Sequence, residues 1–422
     1  MNVSAHRAFS FLRTYGYERV SCSKEERTVA EALLNECTSL GVSAQLEEFT
    51  VPCGRVSHAL LRVTSPYVKE YEVTGYERAA STPEGGLDAE FLYVENADEV
   101  LLEQAKGKIV LVNGYLNRAT YEKLRKVEAA AILTFTGRTI DRENESDLNR
   151  CKLRETLTEP FGAIPVLNMR AASAAEIVRR GAKTVHIELT GECYDGTSQN
   201  VCATIPGTDK PSEVITLGGH YDSVYFSSGV HDNLSGSVIV LELLRYFAAH
   251  PPRRTLRFCW FGSEEQGLLG SKAYVKAHAD ELKACVAMLN FDVAAPTLGS
   301  NHLVTLATDD ALHYVAGVLR EAGYGVRAKQ DTYSSDCIPF ADNGVPAINL
   351  ARFGANGADY MHNRHDSLKS GYLDEHALDI TLQQGFVLLD RLANAASFPI
   401  KREIAPEIRQ KVDEYLFKAK KE

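Results

Sequence analysis

A chain of 422 residues is too long for one ordinary domain, and 45% hydrophobic with 24% charged residues is the make-up of a folded protein with a sizeable core. The formal net charge of −10, with no dense Lys/Arg cluster except the C-terminal KAKKE, excludes the usual nucleic-acid footprint. No run of about 18 apolar residues predicts a membrane span, the N-terminus has no apolar signal core, and nine Cys without a CxxC pair read as reduced thiols, so a cytoplasmic protein is expected.

The chain opens helix, helix, strand. Residues 3–15 carry apolar groups at helical spacing. Ser23 followed by Glu26 is an N-cap pattern for a helix over about 24–40, which buries Val29, Ala32, Leu33 and Leu40 and stops at Gly41. Residues 43–51 fit a strand. Residues 55–190 then hold short strand candidates (ALLRV, YEVTGY, AEFLYV, KIVLVN, AAILTF, AIPVLN, TVHIEL) with helical pieces at 119–128 and 171–181, and read as a separate small β-rich module. The polar stretch 139–150 reads as an exposed loop.

From Asn200 the pattern becomes a regular α/β alternation. NVCATIPG, SEVITLGGHYDS, TLRFCWFG, VAMLNFDVAA, LVTLAT and VPAINLAR are strands. SGSVIVLELLRYFAAH is a helix stopped by Pro251-Pro252, and further helices are expected over 311–322 and about 374–396. The fold class is therefore α/β, with a mixed, mostly parallel central sheet flanked by helices and a smaller β-rich insertion.

Acidic and His residues recur at the C-terminal ends of these strands, where sites gather in open α/β sheets. His220 and Asp222 follow VITLGG, Glu264 and Glu265 follow LRFCWFG, Asp292 follows VAMLNF, and His362 lies a short loop beyond AINLAR. Asp232 stands at the mouth of the SGSVIVLELL helix. Singly, each is ordinary: a strand-end His or Asp is usually a loop residue, and a Glu-Glu pair often complements a helix dipole. Together they supply the imidazole and carboxylate donors that suit Zn2+. Asp222, two residues from His220, is placed to accept the other ring N–H. One Glu of the pair is suited to ligate metal and the other to act as general base.

At these residues the chain resembles the di-zinc exopeptidases that include bacterial leucyl aminopeptidase, aminopeptidase Y and glutamate carboxypeptidase II. The matching pieces are GGHYDS, HDNLSG, WFGSEEQGLLGS, NFD, SSD with a following Phe, and HNRHDS, within about residues 200–395. The resemblance implies two divalent ions, taken as zinc. Asp232 would bridge them, His220 and Asp292 would complete one, and Glu265 and His362 the other. Glu264 would be the general base, Asp222 the orienter of His220, and Asp232–Asn233 a candidate cis peptide. His362 rather than His365 takes the ligand position, because Asp366 and Ser367 follow it at the family's spacing. Tyr333 is the favoured oxyanion donor, with Tyr360 its competitor.

Residues 55–190 resemble a protease-associated domain inserted in the zinc-exopeptidase fold, whose two parts are then 1–54 and 191–422. The expected activity is removal of the N-terminal residue of peptides. The alternatives are a carboxypeptidase, with Arg352 or Arg364 taking the substrate carboxylate, a one-zinc glutaminyl cyclase, and a metal-free binding homologue like the transferrin receptor. The expected partner is a peptide substrate, with neither nucleic acid nor membrane; the oligomeric state is open.

Overall fold

The computed structural model describes residues 2–141 and 148–418. Residues 142–147 of the expected 139–150 loop and most of the KAKKE tail lie outside the described residues. The chain divides into two compact units: Met1–Val51 with Thr197–Glu422, and Pro52–Gly196.

The first unit begins with the helices Ala5–Tyr15 and Lys24–Ser39. Each starts at a serine whose hydroxyl accepts a first-turn N–H, Ser4 from Arg7 and Ser23 from Glu26. Glu26 reaches back past the N-cap to accept the Cys22 N–H. The sheet of this unit runs, in spatial order, Arg327–Gln330, Gly299–Leu306, Ala347–Gly354, Cys285–Phe291, Lys210–His220, Arg254–Phe261 and the end of Thr184–Ile205. The four strands from Ala347–Gly354 to Arg254–Phe261 are mutually parallel, and antiparallel neighbours lie on either side.

Period-2 alternation sends these strands into two cores. Leu256, Phe258 and Trp260 join the core that contains the helix Ser235–Ala249. Cys259 and Phe261 join a second core with Leu268, Tyr274, Phe340 and Ile408. The helix Ser235–Ala249 is buried over its whole first two-thirds, Ser235 to Leu244, and is apolar most of the way round there. Its one acid, Glu242, is answered by Arg7 of the first helix at 2.6 Å.

In the second unit the order is Val73–Gly75, Val166–Arg170, Ala131–Thr136, Ile109–Leu111, Leu87–Tyr93 and the beginning of Thr184–Ile205. Its middle strands are parallel, joined through the helices Glu99–Leu102, Arg118–Lys126 and Glu155–Phe161. Val110, Ile132 and Val166 face one core, and Leu111, Leu133 and Leu167 the other.

Two expectations are corrected. Residues 43–51 and ALLRV are not separate strands but parts of one, Ser43–Ser65. Pro52 and Gly54 do not break it; Gly54 is there because a Cβ would stand 2.6 Å from the backbone nitrogen of Arg78. The helices Leu269–Ala277, Cys337–Asp342 and Pro406–Tyr415 were not anticipated. The first follows a run of turn residues, and the second is short and carries Pro339, so neither has the periodic length that marks a helix.

Candidate metal centre

The four parallel strands deliver the polar residues to one edge. His220 ends its strand, Asp292 immediately follows Cys285–Phe291, and Glu264 and Glu265 form a helical turn just beyond Arg254–Phe261. His362 comes from the loop after Ala347–Gly354. Asp232 sits in the turn Val230–Leu234 ahead of the buried helix, and the Asp232–Asn233 peptide is cis. Gly236 lets that helix approach the strand end: a Cβ there would meet the Phe291 carbonyl oxygen at 2.0 Å. The Asn233 amide fixes the same junction, accepting from Gly236 N and Val293 N and donating to Phe291 O.

The donors converge on Asp232. Its Oδ1 lies 3.2 Å from His220 Nε2, and its Oδ2 lies 3.0 Å from His362 Nε2. Asp292 Oδ1 is 3.7 Å from His220 Nε2, and Glu265 Oε2 is 3.2 Å from His362 Nε2. Two triads, His220–Asp232–Asp292 and Asp232–Glu265–His362, each have their ligand atoms within 4.8 Å of one another. They share Asp232 through different oxygens. Glu264 stands close to the first triad, with Oε2 3.8 Å from His220 Nε2. All the donors are nitrogen or oxygen, a set that fits zinc without a thiolate.

Surrounding groups hold this arrangement. Asp222 Oδ1 lies 3.2 Å from His220 Nδ1, and its two oxygens accept the backbone N–H groups of Glu264 and Glu265. Asp366 does the same for the other side, accepting from His231 N and Asp232 N at 2.7 and 3.0 Å. Ser237 Oγ donates to the His220 carbonyl. Glu26, fully buried, accepts from Ser263 N and Ser198 Oγ just before the Glu pair. Arg19 is buried too, and its guanidinium donates to the carbonyls of Tyr15, Tyr17, Tyr221, Ser228 and Gly229. It therefore ties the chain just after His220 to the chain just before Asp232. The HNRHDS motif pointed to Asp366; Glu26 was marked only as part of a helix-cap pattern and nothing pointed to Arg19, and both lie some 200 residues from the loops they hold.

The electrostatics are those of a site that draws in positive charge. The Glu265 and Asp232 carboxylates push the His362 imidazole up to about 12 against the effect of burial. Burial opposes charge on His220, yet the carboxylates of Glu264, Asp222, Asp232 and Asp292 raise its pKa well above the ordinary value. Burial raises Asp232, but hydrogen bonds from the two imidazoles hold it well below the usual carboxylate range. Glu264 is raised well above that range, by burial first and then by Glu265, Asp336 and Asp292, with His220 opposing.

Tyr333 lies beside this cluster. Burial, followed by the nearby carboxylates of Asp292, Asp232 and Glu264, raises its phenol well above the ordinary value, and its ring packs edge-on to Phe353. Tyr360 instead donates to Gly357 O at 2.7 Å and packs on His365 and Tyr372. His365 is exposed and apart from both triads. The Arg352 guanidinium is occupied by Pro296 O, Thr297 O and Asn301 Oδ1, and Arg364 is exposed.

Residues 200–383 match the model of Peptidase family M28. The chain carries a Peptidase family M28 domain. The motif-based assignment to that exopeptidase family stands, and the chain is a hydrolase. Aminopeptidase YwaD of Bacillus subtilis is 26% identical over 406 residues, which cover 93% of this chain and 84% of that protein. Carboxypeptidase Q of Mus musculus is 27% identical over 274 residues, 62% of this chain and only 58% of that protein. Among solved structures, BSAP, a zinc aminopeptidase from Bacillus subtilis, superposes with a TM-score of 0.78 at 21% identity, over 96% of this chain and 99% of that one. This last likeness establishes the α/β fold. No helix among the described residues is long and apolar enough to cross a membrane.

Proposed function

We propose that this chain is a zinc-dependent aminopeptidase that hydrolyses the N-terminal peptide bond of peptides at a two-ion centre. The observation that carries the reading is the position of Asp232, one oxygen towards His220 and the other towards His362. His220 and Asp292 would complete one ion, Glu265 and His362 the other. When bound, the ions supply a Lewis acid for the scissile carbonyl and lower the pKa of an attacking water.

The protein's own groups do the rest. Glu264 takes the proton of the attacking water and returns it to the leaving amine; its Oε2, 3.8 Å from His220 Nε2, puts the carboxylate beside the proposed ions. Tyr333 donates its phenol hydrogen to the developing oxyanion, worth a few kcal/mol of barrier where such a donor is well placed, on the order of 3 kcal/mol. Asp222 fixes the ring of His220 and the backbone of the Glu pair. The insertion, read over residues 55–190 as a protease-associated-like domain, is proposed to bear on substrate size. A cytoplasmic location is proposed on the absence of any disulfide among the cysteines.

The aminopeptidase reading is preferred over a carboxypeptidase because the Arg352 guanidinium is held by carbonyl and amide oxygens rather than offered to a substrate carboxylate. The names of the relatives include both activities, so substrate chemistry decides. Metal-replete protein is given aminoacyl amides, peptides with a free N-terminus and the same peptides N-acetylated. Cleavage that requires the free amine supports the proposal; release of C-terminal residues from acetylated peptides overturns it.

A further inference from the structure

The sheet of the unit Pro52–Gly196 is covered unequally on its two faces. On one face Leu102, Tyr121, Leu124 and Leu157, from three helices, close over Val110, Ile132 and Val166. On the other, among the described residues, Ala171–Arg179 is the one helix that packs, through Ala174 and Ile177. Beside this helix a cavity of about 270 Å³ opens against Tyr93, Leu111 and Phe135. These three stand at the C-terminal ends of adjacent parallel strands, Leu87–Tyr93, Ile109–Leu111 and Ala131–Thr136, the place where open α/β sheets take their ligands. The helix lines the other side with Ala174, Ala175 and Val178, whose small side chains leave the space open.

Two exposed residues in the lining carry polar groups, Arg179 and Thr139, and neither side chain has a hydrogen bond or ion pair among the described residues. The neighbouring cations are all answered: Arg170 pairs with Glu72, and Lys69 and Arg180 share Glu176. The Tyr93 hydroxyl is engaged too, donating to Asn113 Oδ1 at 2.8 Å. The cavity therefore offers apolar walls, one unanswered guanidinium and one free hydroxyl, and no carboxylate lines it. An apolar group that carries an anion is complementary to this set. A free amino acid is not, because its ammonium would find no acid. The volume is just under the ~300 Å³ at which pockets for whole small molecules begin, which is room for a single residue.

We propose that this cavity binds the C-terminal residue of a peptide, with an apolar side chain against Tyr93, Leu111 and Phe135 and the terminal carboxylate on Arg179. A guanidinium takes a carboxylate through two parallel N–H donors, which fixes its orientation as well as its charge. The Thr139 hydroxyl is left for the last peptide group, which a fatty acid does not have. The site recognises the end of a peptide opposite to the one cleaved in the proposed reaction. It is a binding site only, and no bond is made or broken there.

The test titrates the full metal-replete chain calorimetrically with N-acetyl-Gly-Gly-Leu. An aminopeptidase leaves this peptide intact, so binding is read without turnover and its outcome is independent of the two-ion reading. The C-terminal amide of the same peptide is expected to bind roughly 3–10-fold more weakly, and so is the acid in Arg179→Gln, since the guanidinium is exposed. N-acetyl-Gly-Gly-Gly and free leucine should each bind at least about tenfold more weakly, the first for want of a buried side chain. Ala175→Phe fills the cavity and keeps Arg179, and is expected to abolish binding. Equal affinity for acid and amide, or no heat at millimolar peptide, overturns the proposal. So does affinity unchanged in both Arg179→Gln and Ala175→Phe, the result that a carboxylate bound at the metal centre would give. Tighter binding of decanoate than of the peptide overturns the peptide assignment in favour of a fatty acid.

Discussion

The backbone N–H of Glu264 donates to Asp222 Oδ1 at 3.0 Å, and that same oxygen stands 3.2 Å from Nδ1 of His220. One carboxylate thus sets both the ring that faces Asp232 and the peptide that carries the proposed base. Its other oxygen takes the next N–H, that of Glu265. Asp222→Asn keeps the volume but turns an NH2 group towards one of these donors. We expect metal affinity and turnover to fall together, by about 10–100-fold. Paired measurements of metal retention and kcat check this; a variant that kept both would show that Asp222 is not the link.

The two imidazoles differ in burial, which separates their variants. Only 1% of the His220 side chain is exposed, against 54% for His362. Each alanine variant is expected to lose one ion per chain relative to the unmutated protein, by elemental analysis. His220→Ala also leaves Asp222, Asp232 and Asp292 buried without their common partner, so it should be the less stable of the two in thermal unfolding. Unchanged metal content in both would contradict the assignment.

Arg19 should matter out of proportion to its distance in sequence from the site. Its guanidinium is buried, and burial lowers its pKa only to about 10, so it stays charged at neutral pH. Arg19→Met leaves several carbonyls without a donor, at about 1–3 kcal/mol each. We expect a loss of more than about 3 kcal/mol of stability in denaturant unfolding, and looser metal binding because the loops before Asp232 and after His220 are no longer tied. Arg19→Lys should recover only part, since an ammonium has fewer donors.

One pH dependence belongs to the unit Pro52–Gly196. His186 Nδ1 is 3.1 Å from Asp88 and its Nε2 is 3.2 Å from Glu188. Burial alone would lower its pKa, but the two carboxylates more than offset this and the net shift is upward. The folded form therefore holds the proton more tightly, so the stabilisation is complete below the unfolded value of 6.5 and is lost as pH rises through the folded value. His186→Gln should lower the melting temperature at a pH below 6.5 and make little difference at a pH above the folded value. An equal deficit at both would argue against a charged His186.

Much of the site was legible because its ligands sit at fixed places relative to strands. His220, Glu264, Glu265 and Asp292 each close an apolar run, and a run of that kind ending in a charged group reads as a strand edge. The same periodicity gave the parallel core and the buried helix Ser235–Ala249. Arg19, and the part Glu26 plays beyond its helix cap, were not legible, because both act through backbone carbonyls and N–H groups of distant loops. The strand Ser43–Ser65 was cut short in the reading because Pro52 and Gly54 usually mark turns.

The central claim is that Glu264 moves the proton while its neighbours hold the metals. The most direct test is kcat of Glu264→Gln on a free-amine peptide, with the metal content of the same sample. The account predicts a fall of about 10²–10⁴-fold with metal content equal to that of the unmutated protein. Turnover near the original level, at full metal content, would contradict it.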